Sequence, residues 1–347
     1  MSPSGTADAT APRGTVVPRR VLVLGGTAWL GRLVAEGARD VGHEVTVLAR
    51  GASGPAPEGV HVVTADRDDA DGLVAVTGRS WDVVVELTST PSRARRAVVA
   101  LAPTTTRWIA VSTTSVYADT ATTGGDETAA TVVPVDDDDE DAPYAEAKVA
   151  VERAVVEGAG AGRVLVLRAG LLGGPGDLSG RSGWWPWRAS RPGVLLAPDD
   201  PGLPTQLVDA RDVAAFVVAQ VTAGTAGVTG VLDVVGPVVP FGEHLAAALE
   251  VAGRAEDDVV LVPPGRLADL GVQPWAGPSS LPLWLPRPGH DGFVSRSGAA
   301  ARDSGLACRP LVETLRDVLA WERRRDDQPR RAGLTTDDER RVLAGLG

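Results

Sequence analysis

The chain has 347 residues, 44% of them hydrophobic, and a formal net charge of −11. That content argues against wholesale disorder, and the negative balance disfavours a nucleic-acid surface. A single cysteine, Cys308, excludes an intramolecular disulfide and argues against a cysteine-based zinc site, and the four histidines at 43, 61, 244 and 290 show no ligand spacing, so no metal is expected. No apolar run reaches the roughly 18 residues of a membrane span, and the first residues lack a secretory pattern, so a cytoplasmic location without a membrane partner is the expectation.

Residues 1–18, rich in Ser, Thr, Ala and Pro, read as a disordered tail. Residues 20–25, Arg-Val-Leu-Val-Leu-Gly, form a short apolar run of the kind found in a buried parallel strand. Gly25, Gly26, Thr27, Ala28, Trp29, Leu30 and Gly31 follow at once and lead into apolar residues at helical spacing. Strand, glycine turn and helix in that order bring backbone N–H groups and a helix N-terminus up to a pyrophosphate. A second strand, His43 to Ala49, ends at Arg50, where an NAD site usually places an acid on the ribose hydroxyls. An arginine there suits a 2′-phosphate, so NADP is preferred over NAD. Further strands are predicted at 60–64, 82–87, 107–112 and 163–168, with helix-like or loop segments between them, which implies a doubly wound parallel sheet with right-handed crossovers. Ligands in such sheets lie at the carboxyl ends of the strands, where Asp66, Glu86, Ser112, Thr113 and Thr114 fall.

The polar stretch 118–142 ends in the acidic run Asp136 to Asp141, expected to be a solvated loop placing negative charge near a helix N-terminus. That helix opens with Tyr144-Ala145-Glu146-Ala147-Lys148, which contains one of two tyrosines and the sole lysine; the other 33 basic residues are arginine. An ammonium is compact and tunable where a guanidinium is neither, so position 148 needs lysine for more than its charge. At i and i+4 the two side chains share one helix face, and the cation is expected to hold down the phenol's pKa, making it a proton donor and acceptor near neutrality. Downstream, Trp184, Trp185 and Trp187 concentrate three of the nine tryptophans, with Trp275 and Trp284 in a second proline-rich stretch. They are read either as a pocket for a flat or apolar molecule or as the packing of a core short of Phe and Tyr. Arg181, Arg188 and Arg191 lie in the same stretch as these tryptophans and offset the negative charge of the acidic run in the loop before it. Residues 209–220 read as a helix and 230–235 as a strand returning the chain to the main sheet. Residues 311–321 form another predicted helix, Arg323 to Arg331 a solvated joint, and Thr336-Asp337-Asp338-Glu339 a capping box for the last helix.

Over residues 20–235, and more loosely to about 325, these motifs resemble the extended and atypical short-chain dehydrogenases/reductases, the NAD-dependent epimerase/dehydratase-like proteins. Gly25 and Gly31 match the outer glycines of that family's Gly-x-x-Gly-x-x-Gly turn, and Ala28 replaces the middle one. The resemblance implies that Asp66 contacts the adenine, that Thr113 takes the place of the catalytic hydroxyl in Ser112-Thr113-Thr114-Ser115-Val116-Tyr117, and that Tyr144 and Lys148 form the Tyr-x-x-x-Lys pair, Lys148 also holding the nicotinamide ribose. Leu87 joins the expected cofactor wall. Leu171 stands where sugar-nucleotide enzymes commonly carry Asn, and Thr114-Ser115 where dehydratases carry Asp-Glu. Glu86-Leu87-Thr88 replaces a frequent His-Leu-Ala. Glu86 could orient a ribose, act as an acid or base, or simply bond to backbone N–H groups, the last being favoured. Glu86, Thr114, Leu171 and the three tryptophans are taken as substrate-side candidates.

The expected architecture is an α/β, Rossmann-type doubly wound parallel sheet (19–177, with returning segments near 205–237), a smaller interleaved C-terminal substrate lobe (178–204 and 238–330) and a terminal helix (331–347). The expected activity is NAD(P)-dependent carbonyl–alcohol interconversion on a small apolar or aromatic substrate. A nucleotide-sugar epimerase retaining its NAD and a noncatalytic NAD(P) sensor are the alternatives, and the resemblance allows a homodimer.

Overall fold

The computed structural model describes residues 16–135, 142–255, 258–325, 328 and 330–346. Most of the expected tail and the whole acidic run 136–141 lie outside the described residues. In chain order the first half comprises β1 (Arg20–Leu24), α1 (Trp29–Asp40), β2 (Glu44–Ala49), β3 (His61–Thr64), β4 (Trp81–Glu86), α2 (Pro91–Leu101), β5 (Thr105–Thr113), α3 (Tyr144–Ala159) and β6 (Val164–Ala169). There follow β7 (Leu171–Gly173), α4 (Trp184–Ala189), β8 (Leu195–Pro198), β9 (Pro204–Asp209), α5 (Ala210–Ala223) and β10 (Gly230–Val234).

Seven strands form one parallel sheet in the order β10-β6-β5-β4-β1-β2-β3. Winding reverses between β1 and β4, and that switch point opens a crevice at the strand ends. The central strands are buried on both faces, as all-parallel sheets require, and so read as apolar runs without alternation. One face packs on α1 and α5 through Val34, Ala38, Val213, Val217 and Val221; the other packs on α2 and α3 through Ala94, Val98, Val151 and Val155. β10 completes the sheet beside β6, as the returning segment implied.

A separate core gathers residues from 184 onward, including Trp184, Trp185 and Trp284. It includes α6 (Phe241–Ala252), α9 (Leu311–Arg325) and α10 (Thr336–Leu346), with β11 (Val238–Pro240) pairing antiparallel to β9; α7 (Pro264–Asp269) and α8 (Ala299–Asp303) lie between α6 and α9 in the chain. Trp184 meets Trp185 edge-on at 4.7 Å between ring centroids, and Trp185 meets Phe241 at 5.0 Å. These rings fill the core that the scarcity of Phe and Tyr leaves them to fill.

Two local expectations are corrected here. The box at the start of α10 sits one residue earlier: Thr335 and Asp338 cap each other reciprocally, at 3.1 and 3.0 Å, and Glu339 instead accepts from the buried Arg188 at 2.6 Å. The arginines from 323 to 331 are not a simple solvated joint, because Arg325, at the end of α9, and Arg330 both donate to Glu322, which is fully buried, and Arg330 also stacks over Trp187. Removing one side of such a pair leaves buried charge uncompensated, so Glu322→Ala should lower unfolding free energy by about 3–5 kcal/mol. A urea titration would check this; a loss under about 1 kcal/mol would show the cluster to be dispensable.

Candidate active site

The crevice holds two adjoining cavities, of about 240 and 530 Å³, that share Ala28 and Leu87 on their walls. The smaller lies over the ends of β1 and β2 and is lined by Gly25, Thr27, Arg50, Asp66, Arg67 and Thr88 among others. Gly25 has φ +96°, a left-handed conformation that favours glycine, and a Cβ on Gly31 would fall inside contact distance of the Gly25 carbonyl and 2.9 Å from Gly26 Cα. Ala28 by contrast is extended, at φ −77° and ψ 164°, so a side chain is tolerated where the related motif has glycine. Arg50 and Asp66 face each other at 3.6 Å on the rim, and Arg93 approaches Asp66 at 4.0 Å. The turn and strand ends therefore fit a dinucleotide.

The larger cavity brings together Trp29, Leu30, Gly31, Ser112, Thr113, Thr114, Tyr144, Lys148 and Leu171. Ser112 Oγ is buried without a hydrogen-bond partner, a vacancy a cofactor's polar edge would satisfy. Tyr144 stands exposed at the first residue of α3 and lines the cavity beside Thr113, whose hydroxyl donates to Ser115 Oγ at 3.1 Å. Lys148, one turn on, is 3% exposed, and its Nζ donates to the carbonyls of Thr88 (2.8 Å) and Val111 (2.5 Å).

The expectation that Lys148 depresses the phenol is not met. Desolvation raises the Tyr144 pKa, opposed by the neighbouring Thr113 hydroxyl and the charge of Arg181, whereas the ammonium points at two carbonyls beneath the cavity. Lys148 is itself pushed down to about 8 by burial, with Glu86 and Glu152 pulling the other way. With its folded pKa below its ordinary 10.5, the unfolded chain binds the extra proton between those values, so this residue makes stability rise as pH goes from about 8 to 10.5. Chemical denaturation across that window should show a rise in the wild type that Lys148→Met flattens; parallel profiles for the two proteins would refute the assignment.

Several candidates do not line this cavity. Glu86 is fully buried, accepting from Arg67 Nη1 at 2.6 Å and Thr88 N at 2.9 Å, the backbone-fixing role favoured for it. Trp184 and Trp185 are core residues, and Trp187 is held between the guanidinium groups of Arg191 and Arg330. The apolar wall comes instead from Trp29, Leu171, Leu172, Trp275 and Phe293. Of the three loop arginines, Arg181 alone lines the cavity; its guanidinium lies 5.3 Å from the Trp275 ring and donates from Nε to Ser179 Oγ. Phe293 and Gln206 carried no sequence signal beyond a polar residue inside an apolar strand. Trp29 donates from Nε1 to the Pro175 carbonyl at 2.9 Å, tying the glycine turn to the loop after β7.

The model of a family described as "NAD dependent epimerase/dehydratase family" matches residues 21–232. No curated protein sequence matches the chain. Among solved structures it is similar to the UDP-Glc/GlcNAc 4-epimerase from Campylobacter jejuni, with 15% identity and a TM-score of 0.66, covering 88% of this chain and 99% of that one. It is also similar to UDP-N-acetylglucosamine 4-epimerase from Bacillus cereus, with 16% identity, a TM-score of 0.62 and the same coverage. A third is the Bordetella bronchiseptica enzyme WbmG in complex with NAD and UDP, at 19% identity and a TM-score of 0.58, covering 89% of this chain and 96% of that one. At these identities the structures speak for the fold alone. Among the described residues no helix is long and apolar enough to cross a membrane.

Proposed function

This chain belongs to the NAD-dependent epimerase/dehydratase family, and we propose that it moves hydride between a nicotinamide cofactor and a carbonyl or alcohol carbon of a small, largely apolar or aromatic molecule. The observation that carries this reading is the larger cavity: Tyr144 and Thr113 at its polar edge, Lys148 beneath, and Trp29, Leu171, Leu172, Trp275 and Phe293 around the rest. The cofactor supplies or takes up the hydride. Gly25, Thr27, Ala28 and Gly31 would cradle its pyrophosphate, Asp66 its adenine and Ser112 and Lys148 its nicotinamide half. Arg50 on the rim of the smaller cavity favours NADP by offering charge to a 2′-phosphate.

Tyr144 gives its proton to the oxygen of a carbonyl that receives hydride at carbon, and takes it back in the reverse direction. Its raised pKa keeps the phenol protonated near neutrality, which suits reduction. Thr113 donates to the same oxygen, and Arg181, facing the cavity from the Trp275 side, would pair with an acidic group on the substrate.

A second reading is a nucleotide-sugar epimerase, favoured by the family and by Arg181, which would serve a diphosphate equally well, and opposed by Leu171 in the place of Asn. Absorbance and mass spectra of small molecules released from denatured, freshly purified protein, with NADPH and NADH titrations, separate the two. Stoichiometric NAD surviving purification would favour the epimerase. Reversible uptake of NADPH by cofactor-free protein supports the reductase, and binding of neither would overturn both.

A further inference from the structure

β9 has a different cavity on each face. Gln206 points into the catalytic cavity, whereas Thr205, Leu207 and Asp209, which alternate with it along the strand, line a second pocket of about 230 Å³. This rear pocket has exposed Pro237 and Pro310 among its wall residues and a buried set that includes Thr205, Asp209, Thr314 and His244. His244, in the first turn of α6, is 1% exposed, and neither of its ring nitrogens has a hydrogen-bond partner. The other polar groups are already engaged. Thr205 donates to the Val239 carbonyl, Thr314 to Asp209, and Asp209 and Asp212 are matched by Arg211 and Arg309. A buried imidazole with both nitrogens unsatisfied is costly and calls for a partner.

We propose that the pocket behind β9 is a second ligand site, taking a small uncharged molecule that has an apolar body and one hydroxyl group for His244. The volume amounts to roughly eight waters at about 30 Å³ each, enough for a single substituted ring. Leu207, Val239 and Leu311 supply apolar wall for that ring. Because the aspartates and arginines neutralise one another, a net charge on the ligand would be buried without a counter-ion. His244 agrees with an uncharged partner, since burial pushes its pKa down to about 4 and leaves a neutral ring with one donor and one acceptor. Among the described residues no three of His, Cys, Asp and Glu gather as metal ligands, so side chains here do not hold a metal for the imidazole. The site requires neither cofactor nor turnover, and it stands or falls apart from the reading of the catalytic cavity.

Cys308, the only cysteine in the chain, is half-buried on the wall of this pocket and makes thiol alkylation a local reporter. The full-length protein would be alkylated with iodoacetamide, and the rate at Cys308 followed by intact mass, against rising phenol and, separately, toluene, which has the same ring without the hydroxyl. Phenol is expected to slow the reaction saturably by at least about fivefold, with toluene binding about tenfold more weakly. His244→Leu should remove the preference for phenol. No saturable protection by either probe, or equal protection by both, would overturn the proposal, the second result meaning that His244 is satisfied by water. Should the leucine variant fail to fold, the comparison of phenol with toluene in the wild type decides alone.

Discussion

Tyr144→Phe is expected to reduce turnover by about 10²–10⁴-fold, the usual contribution of a positioned acid or base. Affinity for NADPH should be nearly unchanged. The phenol hydroxyl is the only group removed, and it stands at an exposed position on the cavity wall beside Thr113, with the cofactor turn on a different segment. The measurement is NADPH oxidation against a panel of carbonyl compounds, paired with fluorescence titration of the cofactor. Retained activity would remove Tyr144 from the chemistry, and lost binding would recast it as a cofactor contact. Because partial desolvation against the cavity wall raises the phenol's pKa, the wild-type reduction rate should hold across neutral pH and fall only on the alkaline side, as the donor is lost.

The second large effect concerns the turn. Gly31→Ala puts a Cβ against the Gly25 carbonyl and the Gly26 Cα, both backbone atoms that cannot swing aside. Overpacking of that kind costs about 1–3 kcal/mol, and relief by displacing the turn would move the N–H groups meant for the pyrophosphate. Cofactor affinity should therefore drop by more than about tenfold, the equivalent of roughly 1.4 kcal/mol. Calorimetric titration with NADPH would test this beside Ala28→Gly, which occupies extended backbone and should bind almost as the wild type does. Equal affinities for all three proteins would mean that the glycine turn does not hold the cofactor.

The parts of this molecule that were legible in the chain are those set by local chemistry or by period. The strand runs predicted at 20–25 and 82–87 fall within a residue of β1 and β4 because a parallel strand buried on both faces needs a largely apolar run. Lys148 stood out because only a slender ammonium can thread between the Thr88 and Val111 carbonyls, where a guanidinium fork would bring five donors to two acceptors. What escaped depends on contacts distant in sequence. The favoured structural role of Glu86 holds, but its ion pair with Arg67, 19 residues away, gave no local signal. Trp184 and Trp185 look like pocket walls until Phe241 closes on them, while Trp275 and Phe293 reach the cavity from a stretch with no regular period. The phenol's pKa went the other way because helical spacing fixes which face a side chain occupies, not where its charged end turns.

The bond from Trp29 to Pro175 joins two segments far apart in the chain. Gly176 sits so close to that indole that a Cβ there would lie 2.5 Å from its Nε1, so the start of α1 and the loop after β7 cannot shift independently. Whatever occupies the glycine turn therefore also sets the position of the Gly174 to Arg181 segment. A nucleotide held by the turn would then be expected to raise hydrogen-exchange protection in both segments together, although 146 positions of chain separate Trp29 from Pro175.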